Sequence, residues 1–195
     1  MSLGDRFPEI IQAARDSDDA AWGEIYMEFS AALFGYLRSR AYPEAEDLLG
    51  ETFYQAVRDV GRFEGSESDF RAWLFTIARH RLIDQRRRSG RRPEQPVPVE
   101  DLVGTADSGD VEDEALARLS TDHALRLVAT LSDDQQDVVM LRLMADLSID
   151  EVARVLGKSP GAVKQLQRRA LAALQREMSG SPVTPEAPAT LSEER

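Results

Sequence analysis

The chain has 195 residues, a formal net charge of -11, 42% hydrophobic and 30% charged side chains and no cysteine, the balance of a globular protein long enough for one ordinary domain or two small ones. That composition excludes a disulfide framework and a thiolate metal site, and no apolar run approaches the roughly 20 residues needed to span a bilayer. The N-terminus, MSLGDRFPEI, lacks the basic and apolar regions of a signal peptide, so no membrane insertion and a cytoplasmic location are expected.

Apolar residues recur at helical spacing through most of the chain and no run alternates with period two, which predicts an all-α fold. Asp18 or Asp19 can cap a first long helix with the stripe Trp22, Ile25, Tyr26, Phe29, Leu33 and Leu37, and the segment around Ala41 to Pro43 breaks it. PEAEDLLGETFYQAVRDVGRF reads as a helix with Pro43 in its first turn, an apolar face of Ala45, Leu48, Leu49, Phe53, Ala56, Val57 and Val60, and Gly61 as its stop. After the turn-like GSES, FRAWLFTIARHRLIDQRRRSG predicts one helix of roughly five to six turns ending at Gly90. Phe70, Trp73, Leu74 and Ile77 share one side while Phe75, Leu82 and Ile83 fall elsewhere, so cover on more than one side is expected, with Trp73 in the core.

The second half of that helix is polar and basic, and its arginines are expected on an exposed end. Residues 81–92, RLIDQRRRSGRR, put six arginines into twelve positions. Residues 1–69 carry 6 basic against 15 acidic side chains, residues 70–92 carry 8 against 1, and residues 93–130 carry 2 against 9. The positive charge is an island that can meet phosphate, but the acid around it repels the same partner. Weak unaided affinity for DNA follows.

Residues 91–111, RRPEQPVPVEDLVGTADSGDV, contain three prolines, two glycines and no apolar period, and read as a flexible acidic linker. They separate a helical domain over 1–90 from a second over 112–178. The second block reads as a helix over 112–130, then LSDDQQDVVMLRLMAD, LSIDEVARVLG and SPGAVKQLQRRALAALQREM. Ser132 with Gln135, and Ser148 with Glu151, have the form of capping boxes and fix two helix starts. The tail over 179–195, with Pro182, Pro185 and Pro188, is expected to be disordered.

Residues 149–168, IDEVARVLGKSPGAVKQLQR, fit a helix-turn-helix. Ala153 is small where two helices must cross, Gly157 can take positive φ in the turn, and Val163 and Leu166 plug the second helix into the core. Ser159 and Pro160 form an N-cap and first-position pair. On that helix Leu166, Ala170 and Leu174 lie on the buried side, while Gly161, Lys164, Gln165, Arg168 and Arg169 point outward. Arginine and lysine suit phosphate or guanine, glutamine suits an adenine edge, and the free amides of the helix start favour a phosphate.

Two blocks together, AEDLLGETF with FRAWLFTIARHRLIDQRRR, and LSDDQQDVVMLRLMADLSIDEVARVLGKSPGAVKQLQRRAL, resemble bacterial RNA polymerase sigma factors of the extracytoplasmic-function (ECF) class, which keep only the second and fourth conserved sigma domains. The resemblance spans roughly residues 5 to 178. It implies that the helix matching 43–61 docks on the clamp helices of the largest subunit of core RNA polymerase. Asp47, Leu48 and Glu51 match that contact segment, the acids as contacts and Leu48, with Phe53, as support. Gly50 stands where the family often has glutamine, at a helix-interior cost of about 1 kcal/mol.

The same resemblance makes the helix matching 68–89 the promoter-melting element. Its preceding loop, Glu64 to Asp69, would hold an unstacked base of the minus-ten element, with Arg79, Arg86, Arg87 and Arg88 on phosphates and His80 in the place of a base-contacting asparagine. Extruding a base costs a few kcal/mol that pocket contacts must offset. The acidic linker from Glu94 to Asp110 would run towards the RNA exit channel, or act as a plain tether. Ser159, Gly161, Lys164, Gln165, Arg168 and Arg169 would meet minus-35 DNA, although Leu166 and Gln167 replace the usual arginine and leucine of that helix. An anti-sigma protein is the regulatory partner the family implies.

A conventional helix-turn-helix regulator, acting without replacing the sigma subunit, is the competing reading. A receiver or sensor domain would need strands, and residues 5–90 offer none. An enzyme fits least: there are only His80 and His123, no glycine-rich phosphate loop and no H-E-x-x-H pair. No cofactor and no metal are expected, and capping and solvation account for the acidic DSDDA stretch.

Overall fold

The computed structural model describes residues 2–41, 43–89, 124 and 126–180. Every regular element among them is a helix, as the 3.6-residue spacing requires. Most of the expected helix over 112–130 and all of the linker over 91–111 lie outside the described residues, with residues 126–129 helical.

Helix α1, Phe7–Arg15, buries Phe7, Ile10, Ile11 and Ala14, a stripe at i, i+3, i+4 and i+7 that the sequence reading had not singled out. Helix α2, Asp19–Arg38, starts where the Asp18 carboxylate accepts the Ala21 amide at 2.9 Å. It buries Ile25, Phe29, Leu33, Tyr36 and Leu37; Tyr26, expected on that stripe, is half exposed with its ring 4.9 Å from Phe53. Helix α3, Ala45–Asp59, begins after Pro43 rather than on it and runs into a 3-10 turn, Val60–Arg62, that contains Gly61. Val57, expected on its apolar face, is exposed, because α3 is covered on one side only, by α2 and by helix α4.

Helix α4, Glu67–Ser89, starts three residues earlier than the sequence suggested. Ser66 and Asp69 exchange hydrogen bonds there, Ser66 N to the Asp69 carboxylate at 3.0 Å and Asp69 N to Ser66 Oγ at 3.3 Å, which moves the cap upstream. Phe70, Ala72, Leu74, Phe75, Ile77, Ala78 and Leu82 are buried on more than one side, as expected. Phe70 is the hub: its ring centroid lies 5.1 to 5.7 Å from those of Phe7, Phe29, Phe63 and Trp73.

Helix α5, Asp133–Met144, and helix α6, Ile149–Leu156, carry the two capping boxes read from the sequence. Gly157 ends α6 in the left-handed region, φ 62°. Ser159 Oγ then accepts the Ala162 amide at 3.2 Å to start helix α7, Pro160–Gly180, two residues longer than expected at its end.

The two helical units pack face to face, α2 on α5 and α4 on α6. One apolar cluster runs from Phe7 through Phe75 and Leu141 to Val163. Gly35 permits the close approach: a β-carbon there would stand 2.5 Å from the Met144 methyl.

Candidate nucleic-acid interface

On α3 the acids and the apolar residue of the expected contact segment separate. Asp47 is exposed, whereas Leu48 is only 2% exposed and belongs to the core, so it supports the helix and cannot face a partner. Glu51 is partly exposed and pairs across to α4, 3.7 Å from Arg81 and 3.9 Å from Arg88. Gln55 one turn on accepts both Arg81 Nε and Nη2, at 3.1 and 2.8 Å. The acidic face of α3 is thus edged by the basic half of α4.

The arginines of α4 divide into two sets. Arg87, Arg88 and His80 are exposed, as the sequence reading expects. Arg79 and Arg86 are not; their side chains are 19% and 22% exposed because α5 covers them. Arg79 Nε donates to Asp137 Oδ2 at 3.1 Å. Arg86 lies 3.4 Å from the Asp133 carboxylate and donates to the Arg40 carbonyl at 3.2 Å. Burial, and after it the neighbouring Arg40 charge, pulls the Arg86 pKa down.

Arg40 and Asp137 complete this cluster and were missed. Arg40 reaches Asp137 Oδ1 at 2.9 Å and Asp133 Oδ1 at 3.1 Å, while Tyr36 Oη donates to Asp137 Oδ1 at 3.0 Å. Burial first, and then the Asp137 charge, pushes the Tyr36 hydroxyl far above its ordinary range, which keeps it a neutral donor. A signal for Asp137 existed: it shares a helical face with Leu141 and Met144, four and seven residues on, where a lone acid demands a buried partner.

The loop before α4 borders an open groove of about 680 Å³, lined by Arg62, Phe63, Glu64, Asp69, Trp73 and Thr76 and, from α6, Arg154. Trp73 is half-buried against Phe63 and Phe70 and also faces this groove, so it is neither wholly core nor a free platform. Arg154 donates to Asp69 Oδ1 at 2.7 Å. Hydrogen bonds from Ser66 and then from Arg154 hold the Asp69 carboxyl down at about 2. Glu67 points away from the groove and accepts the Leu3 and Gly4 amides at 3.1 and 2.8 Å.

On α7 all six residues expected at minus-35 DNA, Ser159, Gly161, Lys164, Gln165, Arg168 and Arg169, are exposed. Val163 and Ala170 are buried beneath them and Leu166 is half-buried, which fixes the rotation of that face. Glu151 anchors the preceding helix: burial raises its carboxyl, but hydrogen bonds at Ser148 and from Ser68 across the inter-unit contact outweigh this and lower it. Among the described residues no group of side chains could hold a metal ion, and no helix is long and apolar enough to cross a membrane.

Two family descriptions match the chain, sigma-70 region 2 over residues 25–92 and sigma-70 region 4 over residues 127–176. The ECF RNA polymerase sigma factor BldN of Streptomyces coelicolor is 38% identical over 177 residues, 88% of this chain; the chain spans 65% of the length of that relative. The ECF RNA polymerase sigma factor RpoE of Cereibacter sphaeroides is 30% identical, covering 87% of this chain and 93% of its own. In fold, the chain is similar to the sigma factor RpoE of Bartonella quintana, solved in complex with the anti-sigma factor NepR, with a TM-score of 0.61, 24% identity and coverage of 82% and 97% of the two chains.

Proposed function

The chain belongs to the ECF class of RNA polymerase sigma factors, and from that premise we propose that it binds core RNA polymerase through α3, recognises minus-35 and minus-ten promoter elements, and melts the latter without covalent chemistry. The observation that carries this reading is the pairing of two surfaces: an outward recognition face on α7 and a half-basic α4 beside an open groove of about 680 Å³. Asp47 and Glu51 are the polymerase contacts, Arg87, Arg88 and His80 the ready minus-ten contacts, and Arg79 and Arg86 join them only when α5 withdraws. A nucleoid location follows only when the protein is on polymerase. An anti-sigma protein that occupies the polymerase-binding face is the proposed regulator.

Run-off transcription with core polymerase on genomic fragments tests this, comparing wild type with Asp47→Ala/Glu51→Ala. Promoter-specific transcripts from the wild type, lost in the double variant, are expected. If the wild type gives none, the conventional regulator returns.

A further inference from the structure

Residues 2–4 have the form of an anion receptor, and the anion is in place. Leu3 lies in the right-handed region, φ -66° and ψ -22°, and Gly4 in the left-handed region, φ 56°. That succession points two neighbouring backbone amides into one concavity, a nest. The Glu67 carboxylate fills it: Leu3 N donates to Oε1 at 3.1 Å, Gly4 N to Oε2 at 2.8 Å and Ser2 Oγ to Oε2 at 2.7 Å. Arg71, one turn further along α4, donates to Oε1 at 3.4 Å. Its guanidinium is itself held, 5.5 Å from the Phe29 ring centroid and 3.9 Å from the Glu28 carboxylate. Gly4 is required for its backbone alone: an added β-carbon would meet nothing within 4 Å, so only the positive φ selects against other residues.

Glu67 stands 64 residues from Leu3 in the chain and opens the first turn of α4. Its side chain is 14% exposed and does not line the groove, whereas Glu64 and Asp69 do. Asp69 is held from the other unit, by Arg154 at 2.7 Å. Glu67 is thus the anchor that the N-terminal unit itself supplies to the loop before α4. Charge-assisted hydrogen bonds from two amides, a hydroxyl and a guanidinium are short and directional, and a loop ordered in advance has little freedom left to lose when it takes up a base. We propose that Glu67 is a positioning residue for minus-ten recognition: clamped in the nest of residues 2–4, it fixes the loop 64–69 and so sets how strictly the groove discriminates among bases. Ser2, Leu3 and Gly4 carry no sequence motif, yet they become part of the promoter-reading apparatus.

This rests on the sigma reading above, and the test separates the two. The full chain is assayed with core polymerase on a promoter recovered by run-off transcription, and on copies with single substitutions in the minus-ten or the minus-35 element. Glu67→Gln keeps the side-chain volume but sets an amide group against the Leu3 and Gly4 donors. Gly4→Val resists the positive φ that the nest needs, while Gly4→Asn tolerates it. Amide hydrogen exchange at Leu3 and Gly4, followed by nuclear magnetic resonance, reads the clamp in the free chain without polymerase.

Exchange at both amides should be about tenfold slower in the wild type than in Glu67→Gln. Glu67→Gln and Gly4→Val should each lower the preference for the intact minus-ten element by about fivefold, the smaller end of what one mismatched base pair costs, with the minus-35 preference unchanged. Gly4→Asn should keep the wild-type preference at both elements. A minus-ten preference unmoved in Glu67→Gln would overturn the proposal. So would an equal loss at both elements, the mark of a merely structural role, or a loss in Gly4→Asn as large as in Gly4→Val. Equal exchange rates in the wild type and Glu67→Gln would overturn it as well. Should Gly4→Val fail to fold, Glu67→Gln and the exchange rates still decide. If the wild type transcribes and the variants match it, only this inference falls; if the wild type gives no transcript with core polymerase, the sigma reading falls and takes the minus-ten role with it, while the exchange rates still judge the clamp.

Discussion

Asp47 and Leu48 are neighbours in the chain but lie on different faces of α3, one in solvent and one in the core. Their substitutions should therefore separate function from stability. Leu48→Ala removes a buried side chain and should lower stability by about 2–5 kcal/mol in urea denaturation. Asp47→Ala should stay within about 0.5 kcal/mol of wild type while weakening co-purification with core polymerase. Asp69 gives a prediction in pH. Its carboxyl sits at about 2 against an ordinary 3.8, so its contribution is complete above 3.8 and is lost as pH falls towards 2. Acidifying from pH 7 to 5 should leave the Asp69–Arg154 contact intact, read by the inter-unit distance. Asp69→Asn should lengthen that distance at every pH, and a distance that opened between pH 7 and 5 in the wild type would assign the closure to other groups.

At the scale of the element, helix ends carried the most legible information. The serine caps at 132, 148 and 159 and the glycine at 157 are local: each needs only the residues beside it, and each is where the sequence placed it. Ser148→Ala should cost about 1 kcal/mol. Gly157→Ala should cost about 1–2 kcal/mol purely through its positive φ, since an added β-carbon meets nothing within 4 Å. On α7, Arg168→Ala should reduce minus-35-dependent initiation by about 1–3 kcal/mol if it reads a base, measured as promoter preference in run-off assays. A preference that did not change would make Arg168 a phosphate contact. The start of α4 was misplaced for the same local reason: Ser66 and Asp69 outcompete the glycine-serine turn and draw the helix upstream.

For the molecule as a whole, the apolar cluster common to both units couples their folding. Trp22 and Trp73 both belong to the N-terminal unit, while far-ultraviolet dichroism reports both units. Urea unfolding followed by the two signals should give one coincident transition in the wild type. Asp137→Ala leaves Arg40, Arg79 and Tyr36 without their shared acceptor. The units can rehydrate those groups by parting, so the transitions should split rather than shift together. Coincident midpoints in that variant would show the charge cluster to be incidental to closure.

Helix content, the two capping boxes, the turn at Gly157, the outward face of α7 and the family itself were all determined by the sequence, because each depends on residues within a few turns of one another or on their spacing along the chain. Tertiary structure alone decided which arginines are available. Arg79 and Arg86 read as exposed from their own helix, and only the docking of α5, brought from more than 40 residues away, turns them towards Asp133 and Asp137. Arg40 and Asp137 are nearly 100 residues apart and acquire meaning only as a pair. Periodicity describes one element at a time, whereas the pairing of buried charges is fixed by which faces meet in space.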